Sequence, residues 1–274
     1  MLPTMKVAAV QTNVVFNDPQ ANAARAVAEI ERLAAQGVKL AILPECFLTG
    51  YCVDSVEEAE RISISREDGA LETVQVAADR SDVTVALGFA ESANDRLYNT
   101  VAYFEPHTEA RFYRKTHLPI LGFDKFATPG DELPLFDTKL GRIGVLICFD
   151  QRFPEPARVL ALAGADVIVV PTNWPVGAEI SAEIICLARA AENRVWVVTA
   201  NRVGTENGFE FIGRSKIIGP TGSVVAAAGA GEAVLVADLD LAEARQKRTV
   251  TIPGKYETEV FKPRRPDLYG NLLE

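Results

Sequence analysis

Histidine is nearly absent from these 274 residues: His107 and His117 are the whole supply, and the four cysteines, Cys46, Cys52, Cys148 and Cys186, include no CxxC pair. That scarcity rules out the usual zinc ligand sets, so no metal and no other cofactor is expected. Cysteines so sparse cannot staple a disulfide-rich fold, and reduced thiols are the default. Positive charge is in deficit, 28 Lys and Arg against 37 Asp and Glu, giving a net charge of -9. A surface of that sign works against nucleic-acid phosphates and anionic lipid. Long apolar runs are missing as well. Residues 1–11 lack the apolar core of a signal peptide, and no other stretch has the length to span a bilayer. The expectation is a cytoplasmic protein with neither nucleic-acid nor membrane partners. GxxxxGK, GxGxxG and the serine elbow GxSxG are all absent, which removes support for nucleotide chemistry and for that form of serine catalysis.

What is present is an ordinary globular mixture, with 48% hydrophobic and 24% charged residues, enough to build a packed core. Short runs rich in Val and Ile alternate with amphipathic stretches and no linker interrupts them, so the class is α/β and residues 1–274 read as a single domain. Strands are expected at 6–11, 40–43, 84–90, 100–104, 110–114, 144–148, 166–170, 195–200, 214–218, 223–227 and 233–238. One helix starts at Asp18 and Pro19, a capping carboxylate followed by a proline at the first helical position, and stops at Gly37. A second, 178–193, places Ile180, Ile184, Leu187 and Ala191 on one face for burial. Others are expected at 70–80, 154–163 and 241–247. The connection 115–137, with Pro119, Gly122, Pro129, Gly130 and Pro134, reads as irregular, and loops of that length in compact domains are usually functional. Residues 262–274 read as an extended C-terminal tail.

Three polar residues stand where apolar strands end: Glu45, Lys115 and Cys148. Ends of strands in parallel α/β sheets are where ligands and reactive groups collect. Cys148 closes GVLI and precedes a turn and Pro154, a setting that holds a nucleophile toward substrate; a buried core cysteine explains the position equally well. A free thiol, with a pKa of about 8.5, needs help at neutral pH. A lysine would favour the thiolate and a negative tetrahedral intermediate, and a carboxylate could take the proton and return it to a leaving amine. Glu45 and Lys115 have that chemistry, although single strand-end charges are more often solvated or paired. A Cys and His dyad through His117 is the other arrangement to weigh. Cys46 adjoins Glu45, but strand alternation points its side chain to the opposite face, and no role is assigned to it.

Seven blocks, in order, carry a resemblance: VAAVQTN (7–13), LPECFLTGY (43–51), YRKTHL (113–118), GVLICFDQRFPEPAR (144–158), PTNWP (171–175), RAAENRVWVVTANRVG (189–204) and GRSKIIGPTG (213–222). Over nearly its whole length the sequence is similar to the nitrilase superfamily of carbon-nitrogen hydrolases. The resemblance implies a four-layer αββα sandwich that dimerises to αββααββα. It implies Glu45 as general base, Lys115 as oxyanion stabiliser and Cys148 as nucleophile, with the backbone N–H of Phe149 joining the oxyanion site. Tyr51, Asn173 and Trp174 fall in blocks that border the pocket in this family. Many members carry a second glutamate after the lysine; here the acidic residue between Lys115 and Gly130 is Asp124, a shorter side chain expected to sit further from the pocket. Arg189, Glu192 and Asn193 read as a buried polar network or dimer contact, and Arg152 and Glu155 as residues that fix the turn after the nucleophile.

Phe149 and Asp150 follow the cysteine where true nitrilases typically have Trp and Glu, which resembles the amidase-type and Nit-like branches. The implied reaction is hydrolysis of a small-molecule amide through a Cys thioester, releasing ammonia and a carboxylic acid. An N-carbamoyl amine hydrolase, releasing carbon dioxide as well, is the alternative, and a catalytically silent binding protein on the same fold is the non-enzyme reading. Membrane-embedded and synthetase-linked relatives are not expected, and a homodimer or higher homo-oligomer is.

Overall fold

A computed structural model describes residues 4–273. The chain begins with β1 (Thr4–Gln11), α1 (Pro19–Ala34), β2 (Leu40–Ile42), α2 (Val56–Ile62), α3 (Gly69–Ser81) and β3 (Thr84–Ala93). It continues through β4 (Arg96–Phe104), β5 (Arg111–Arg114), β6 (Leu135–Thr138), β7 (Gly141–Val145), α4 (Pro154–Leu162) and β8 (Val167–Thr172). A π-helical turn at Ser181–Ile185 leads into α5 (Cys186–Asn193) and β9 (Trp196–Asn201). Then come the hairpin β10 (Val203–Glu206) and β11 (Phe209–Ile212), followed by β12 (Lys216–Ile218), β13 (Val224–Ala227) and β14 (Ala233–Asp240). After α6 (Leu241–Arg245), a last hairpin pairs β15 (Arg248–Ile252) with β16 (Tyr256–Glu259).

Two six-stranded sheets result, ordered β14-β1-β2-β3-β4-β5 and β13-β12-β9-β8-β7-β6. Each is mixed: β1, β2 and β3 run parallel, as do β7, β8 and β9, while the flanking strands pair antiparallel. The sheets pack face to face through Val7, Leu40, Ile42 and Val101 on one side and Ile143, Val145, Val167 and Val198 on the other. Helices cover the outer faces, with Ile30, Leu33 and Val74 on Ala8, Ala41 and Val85, and Leu160, Cys186 and Ala190 on Ile168 and Val197. These layers form an αββα sandwich, and strands covered on both faces are why their sequences read as unbroken apolar runs. Each fully buried Ile or Leu in these clusters contributes about 1.5–3 kcal/mol. Among the described residues no helix is long and apolar enough to cross a membrane.

Local chemistry accounts for the element ends. Asp18 caps α1 by accepting from the Ala21 N–H at 3.0 Å, with Pro19 at the first helical position. The chain leaves α1 through Gly37 at φ 77°, a conformation that favours glycine.

Several expectations need correction. The helical pattern 178–193 is broken by the π turn, and its buried face is the small-residue row Ala182, Cys186 and Ala190. Ile180 and Ile184 lie on the opposite, outer face and are 45% and 59% exposed. The connection 115–137 is not wholly irregular: it holds a 3-10 turn at Gly122–Lys125 and enters β6, which pairs with β7 from Leu135↔Gly144 to Thr138↔Gly141. The expected strand at 144–148 ends at Val145, because the chain turns at Cys148 into a 3-10 helix, Cys148–Arg152. Short 3-10 turns, Pro266–Leu268 and Gly270–Leu273, replace a fully extended tail.

Candidate active site

Glu45 lies in the turn that follows β2, and Lys115 directly follows β5, so both leave the same end of the first sheet. That turn is pressed against β3. A Cβ on Gly88 would lie 2.3 Å from the Cys46 nitrogen and 2.6 Å from Glu45 Cα, so only glycine lets β3 pass this close. The second sheet brings Cys148 after β7, and Thr172 and Asn173 at the end of β8.

Lys115 and Glu45 meet with no solvent between them. Lys115 Nζ donates to Glu45 Oε1 at 2.7 Å and to Asp124 Oδ2 at 2.6 Å, and all three side chains are fully buried. Asp124 therefore does not stand away from the pocket. The 3-10 turn at Gly122–Lys125 folds it back, with Gly122 at φ 49° passing against the Tyr51 ring, where a Cβ would come within 2.7 Å. The Tyr51 hydroxyl lies 2.9 Å from Asp124 Oδ2 and 3.0 Å from the Leu121 carbonyl, so it braces that turn. Glu206 of β10 in turn accepts the backbone N–H groups of Tyr51 and Cys52 at 2.8 and 2.7 Å and pairs with the buried Arg202.

The electrostatics follow from burial against pairing. Burial raises the Glu45 pKa above its ordinary value; Lys115 pulls it back and Asp124 pushes it up again. Burial works against charge on Lys115 too, but Asp124 and Glu45 outweigh it and hold the ammonium pKa well above its usual range. The Cys148 thiol is pushed up to about 12, first by burial and then by Glu45, with Lys115, the Thr172 hydroxyl and the Asn173 N–H pulling the other way. A thiol in that state keeps its proton at neutral pH and needs a base at the moment of attack. Glu45 has one oxygen to offer: Oε2 is buried without a partner.

Cys148 sits at φ 43°, on a sharp turn, and is 9% exposed. The turn is held by Asp150, whose fully buried carboxylate accepts from the Ile147 N–H at 2.8 Å, the Tyr113 hydroxyl at 2.8 Å and the His117 N–H at 2.9 Å. Arg189 adds bonds from its guanidinium to the carbonyls of Gln151 and Arg152 at 2.8 and 3.1 Å, and pairs with Glu192. Arg152 and Glu155, expected to fix this turn, are exposed instead; their sites face outward at the start of α4. His117 Nδ1 lies 2.9 Å from Asp150 Oδ1 and its ring stacks on Phe153 at 4.3 Å, so this imidazole serves the Asp150 network rather than a Cys and His dyad.

Phe149 is partly exposed and meets Phe153 edge to face at 5.4 Å. Asn173 is buried with both side-chain amide atoms unpartnered. Trp174 belongs to the core between the sheets, and its backbone N–H donates to Asn201 Oδ1 at 2.8 Å. Two residues of this centre escaped the sequence reading. Asn99 on β4 donates to Glu45 Oε1 at 2.7 Å and to Asp124 Oδ1 at 2.8 Å. Cys46, given no role, turns its Sγ to within 3.6 Å of Asn99 Oδ1, since β2 has ended and strand alternation no longer applies. A lone amide inside the apolar run of β4 was the available signal for Asn99. Among the described residues no group of three His, Cys, Asp or Glu is placed to hold a metal ion.

The carbon-nitrogen hydrolase family model matches residues 6–249. A nitrilase of Pyrococcus abyssi is 39% identical over 269 residues, covering 97% of this chain and 99% of its own. An N-carbamoylputrescine amidase of Solanum lycopersicum is 35% identical, covering 94% of this chain and 91% of its own. Among solved structures, a glutamate-to-glutamine variant of the amidase from Nesterenkonia sp. AN1 superposes with a TM-score of 0.84 at 25% identity, over 98% of this chain and 97% of that one. In that structure the acetamide moiety of fluoroacetamide is joined covalently to the active-site cysteine. By these matches, in agreement with a buried carboxylate, lysine and thiol gathered at one end of an αββα sandwich, the chain belongs to the carbon-nitrogen hydrolases of the nitrilase superfamily, amidase type, enzymes that break non-peptide carbon-nitrogen bonds with a cysteine nucleophile.

Proposed function

We propose that Cys148, Glu45 and Lys115 are the catalytic residues and that the substrate is a small aliphatic or ω-amide. The observation that carries this reading is the disposition of Glu45: Oε1 is bound to Lys115, and Oε2 is buried and free to take a proton. As the Cys148 sulfur attacks the carbonyl, its proton passes to Glu45, and Lys115 with the Phe149 N–H holds the oxyanion. Protonated Glu45 returns the proton to the departing ammonia. Water, deprotonated by the same carboxylate, then hydrolyses the thioester and releases the acid. Asp124 keeps Lys115 charged and in place, and the unpartnered amide of Asn173 is offered to a polar group of the substrate.

An N-carbamoyl amine is the second substrate class, favoured by the similarity to the tomato enzyme. Ammonia release from a panel of small amides, ω-amides, N-carbamoyl amines and nitriles, run beside Cys148→Ala, separates them: carbon dioxide accompanies ammonia only from carbamoyl substrates. Release that persists without Cys148 would overturn the reading.

The wider expectations belong here as well. A homodimer is supported by exposed Val159, Leu162, Ile180 and Ile184 around α4 and the π turn, apolar side chains that a second copy would cover. A reducing, cytoplasmic setting is supported by four free cysteines. One hydrolase domain over 1–274, with 262–274 as its tail, is supported by cores continuous across both sheets.

A further inference from the structure

Asn99 is 1% exposed on β4, and its side chain lies against three groups of the centre at once. A primary amide can face either way, but its neighbours here allow one orientation. Two carboxylate oxygens, Glu45 Oε1 and Asp124 Oδ1, stand 2.7 and 2.8 Å from Nδ2, and only an N–H can meet them. On the other side Oδ1 faces the Cys46 thiol at 3.6 Å. Burial, with Glu45 close behind it, holds that thiol well above its ordinary pKa, so it stays an S–H donor. The backbone carbonyl of the same residue accepts the Lys115 N–H at 2.8 Å, a contact independent of the side chain.

Together these contacts close a ring: Lys115 Nζ and Asn99 Nδ2 each bind both Glu45 and Asp124. Both donors reach the same oxygen of Glu45, and the other is left bare. We propose that Asn99 is a positioning residue that divides the Glu45 carboxylate by duty: with Lys115 it saturates Oε1, and so reserves Oε2 for the Cys148 proton. This rests on Glu45 acting as the base. Without the amide the carboxylate is free to turn its bare oxygen toward Asp124 or share both oxygens with Lys115, and it loses a donor that favours its charged form.

The test reads Glu45 through Cys148 without needing the substrate. The probe is iodoacetamide: the sulfur-carbon bond forms, the carbon-iodine bond breaks with loss of iodide, and the thiol proton goes to Glu45. Alkylation of Cys148 is followed by peptide mass spectrometry from pH 5 to 9 in the wild type, Glu45→Gln, Asn99→Leu and Asn99→Ala. Leucine keeps the shape and removes the donor; alanine opens room for a water that can donate in its place. The expected result is an acid limb moved to higher pH in Asn99→Leu, with alkylation on that limb about tenfold slower, the size of one charge-assisted hydrogen bond. Asn99→Ala falls between Asn99→Leu and the wild type. A merely structural role gives the reverse order, or slows both variants equally at every pH, and either result overturns the proposal. Should Asn99→Leu not fold, the limb of Asn99→Ala decides alone: raised supports the proposal, unmoved overturns it. Identical profiles for the wild type and Glu45→Gln would instead remove the base assignment underneath.

Discussion

The hydroxyl of Tyr113 lies 2.8 Å from Asp150 Oδ2, and this bond ties the strand that delivers Lys115 to the turn that carries Cys148. Both groups are buried, and the carboxylate accepts from several donors. Tyr113→Phe removes one donor and is expected to cost about 1.5–3 kcal/mol of stability, the range for a hydrogen bond to a charged group. Urea unfolding measures it. Turnover should fall as well, and an unchanged midpoint would show that the bond carries no load.

Cys148→Ala is expected to abolish turnover with the fold intact, as judged by circular dichroism and thermal melting. Glu45→Gln should lose about 10²–10⁴ in rate, the usual worth of a general base. On the proposed mechanism a small reactive amide should also leave a lasting mass on its Cys148, because the variant lacks the carboxylate proposed to activate water. Near wild-type rates in either variant would sink the mechanism.

Removing Asp124 moves Glu45 in the direction opposite to removing Asn99. The negative charge of Asp124 raises the Glu45 pKa, so Asp124→Asn lets Glu45 ionise at lower pH, and the acid limb of kcat/KM should shift downward while the maximal rate falls because Lys115 has lost a partner. A pH profile from 4 to 9 checks the sign. An upward shift would contradict the placement of these two carboxylates on one ammonium.

Alkaline pH should weaken the fold. Burial, the leading cause in each case, pushes Cys52, Cys148 and Cys186 up to about 12. In the unfolded chain such thiols ionise near about 8.5. The stability they lend is complete below that pH and is lost as pH rises toward the folded value, each group contributing a slope of about 1.4 kcal/mol per pH unit while only the unfolded form is ionised. Denaturation curves between pH 8 and 10.5 test this, and a flat response would mean that the thiols are not sealed from water.

Gly88→Ala places a methyl group against the backbone of Glu45 and Cys46. Overpacking of this kind costs about 1–3 kcal/mol, and here the strain falls on the turn that aims the Glu45 carboxylate. Activity should drop by more than the loss of folded protein explains, which an assay at matched folded concentration reveals.

The strand-end positions of Glu45 and Cys148 are legible because apolar runs precede them, whereas Lys115 follows the mixed edge strand Arg111–Arg114 and is marked only by where that strand stops. Asp124 was misjudged for a physical reason. Side-chain length says nothing about reach when a 3-10 turn folds the backbone toward the lysine, and that turn depends on Gly122 meeting Tyr51 far away in sequence. Asn99 lay one residue outside the expected strand, and its partners come from three separate elements. Asp150 marks the branch in the sequence, but four donors, the Tyr113 and Thr116 hydroxyls and the His117 and Ile147 N–H groups, make it the clamp of the turn. Ile180 and Ile184 share a face as their spacing predicts, but it is the outer one, because the small side chains Ala182, Cys186 and Ala190 are the ones that let the helix approach the sheet.

The division of the centre between two sheets acts as a safety catch. Glu45 and Lys115 arrive on one sheet and Cys148 on the other, so a chain whose sheets have slipped apart carries all three groups with the carboxylate and the ammonium out of reach of the sulfur. Parted from Glu45 and Lys115, Cys148 is one ordinary thiol among four, and damage to the sandwich disperses the assembled centre as a whole.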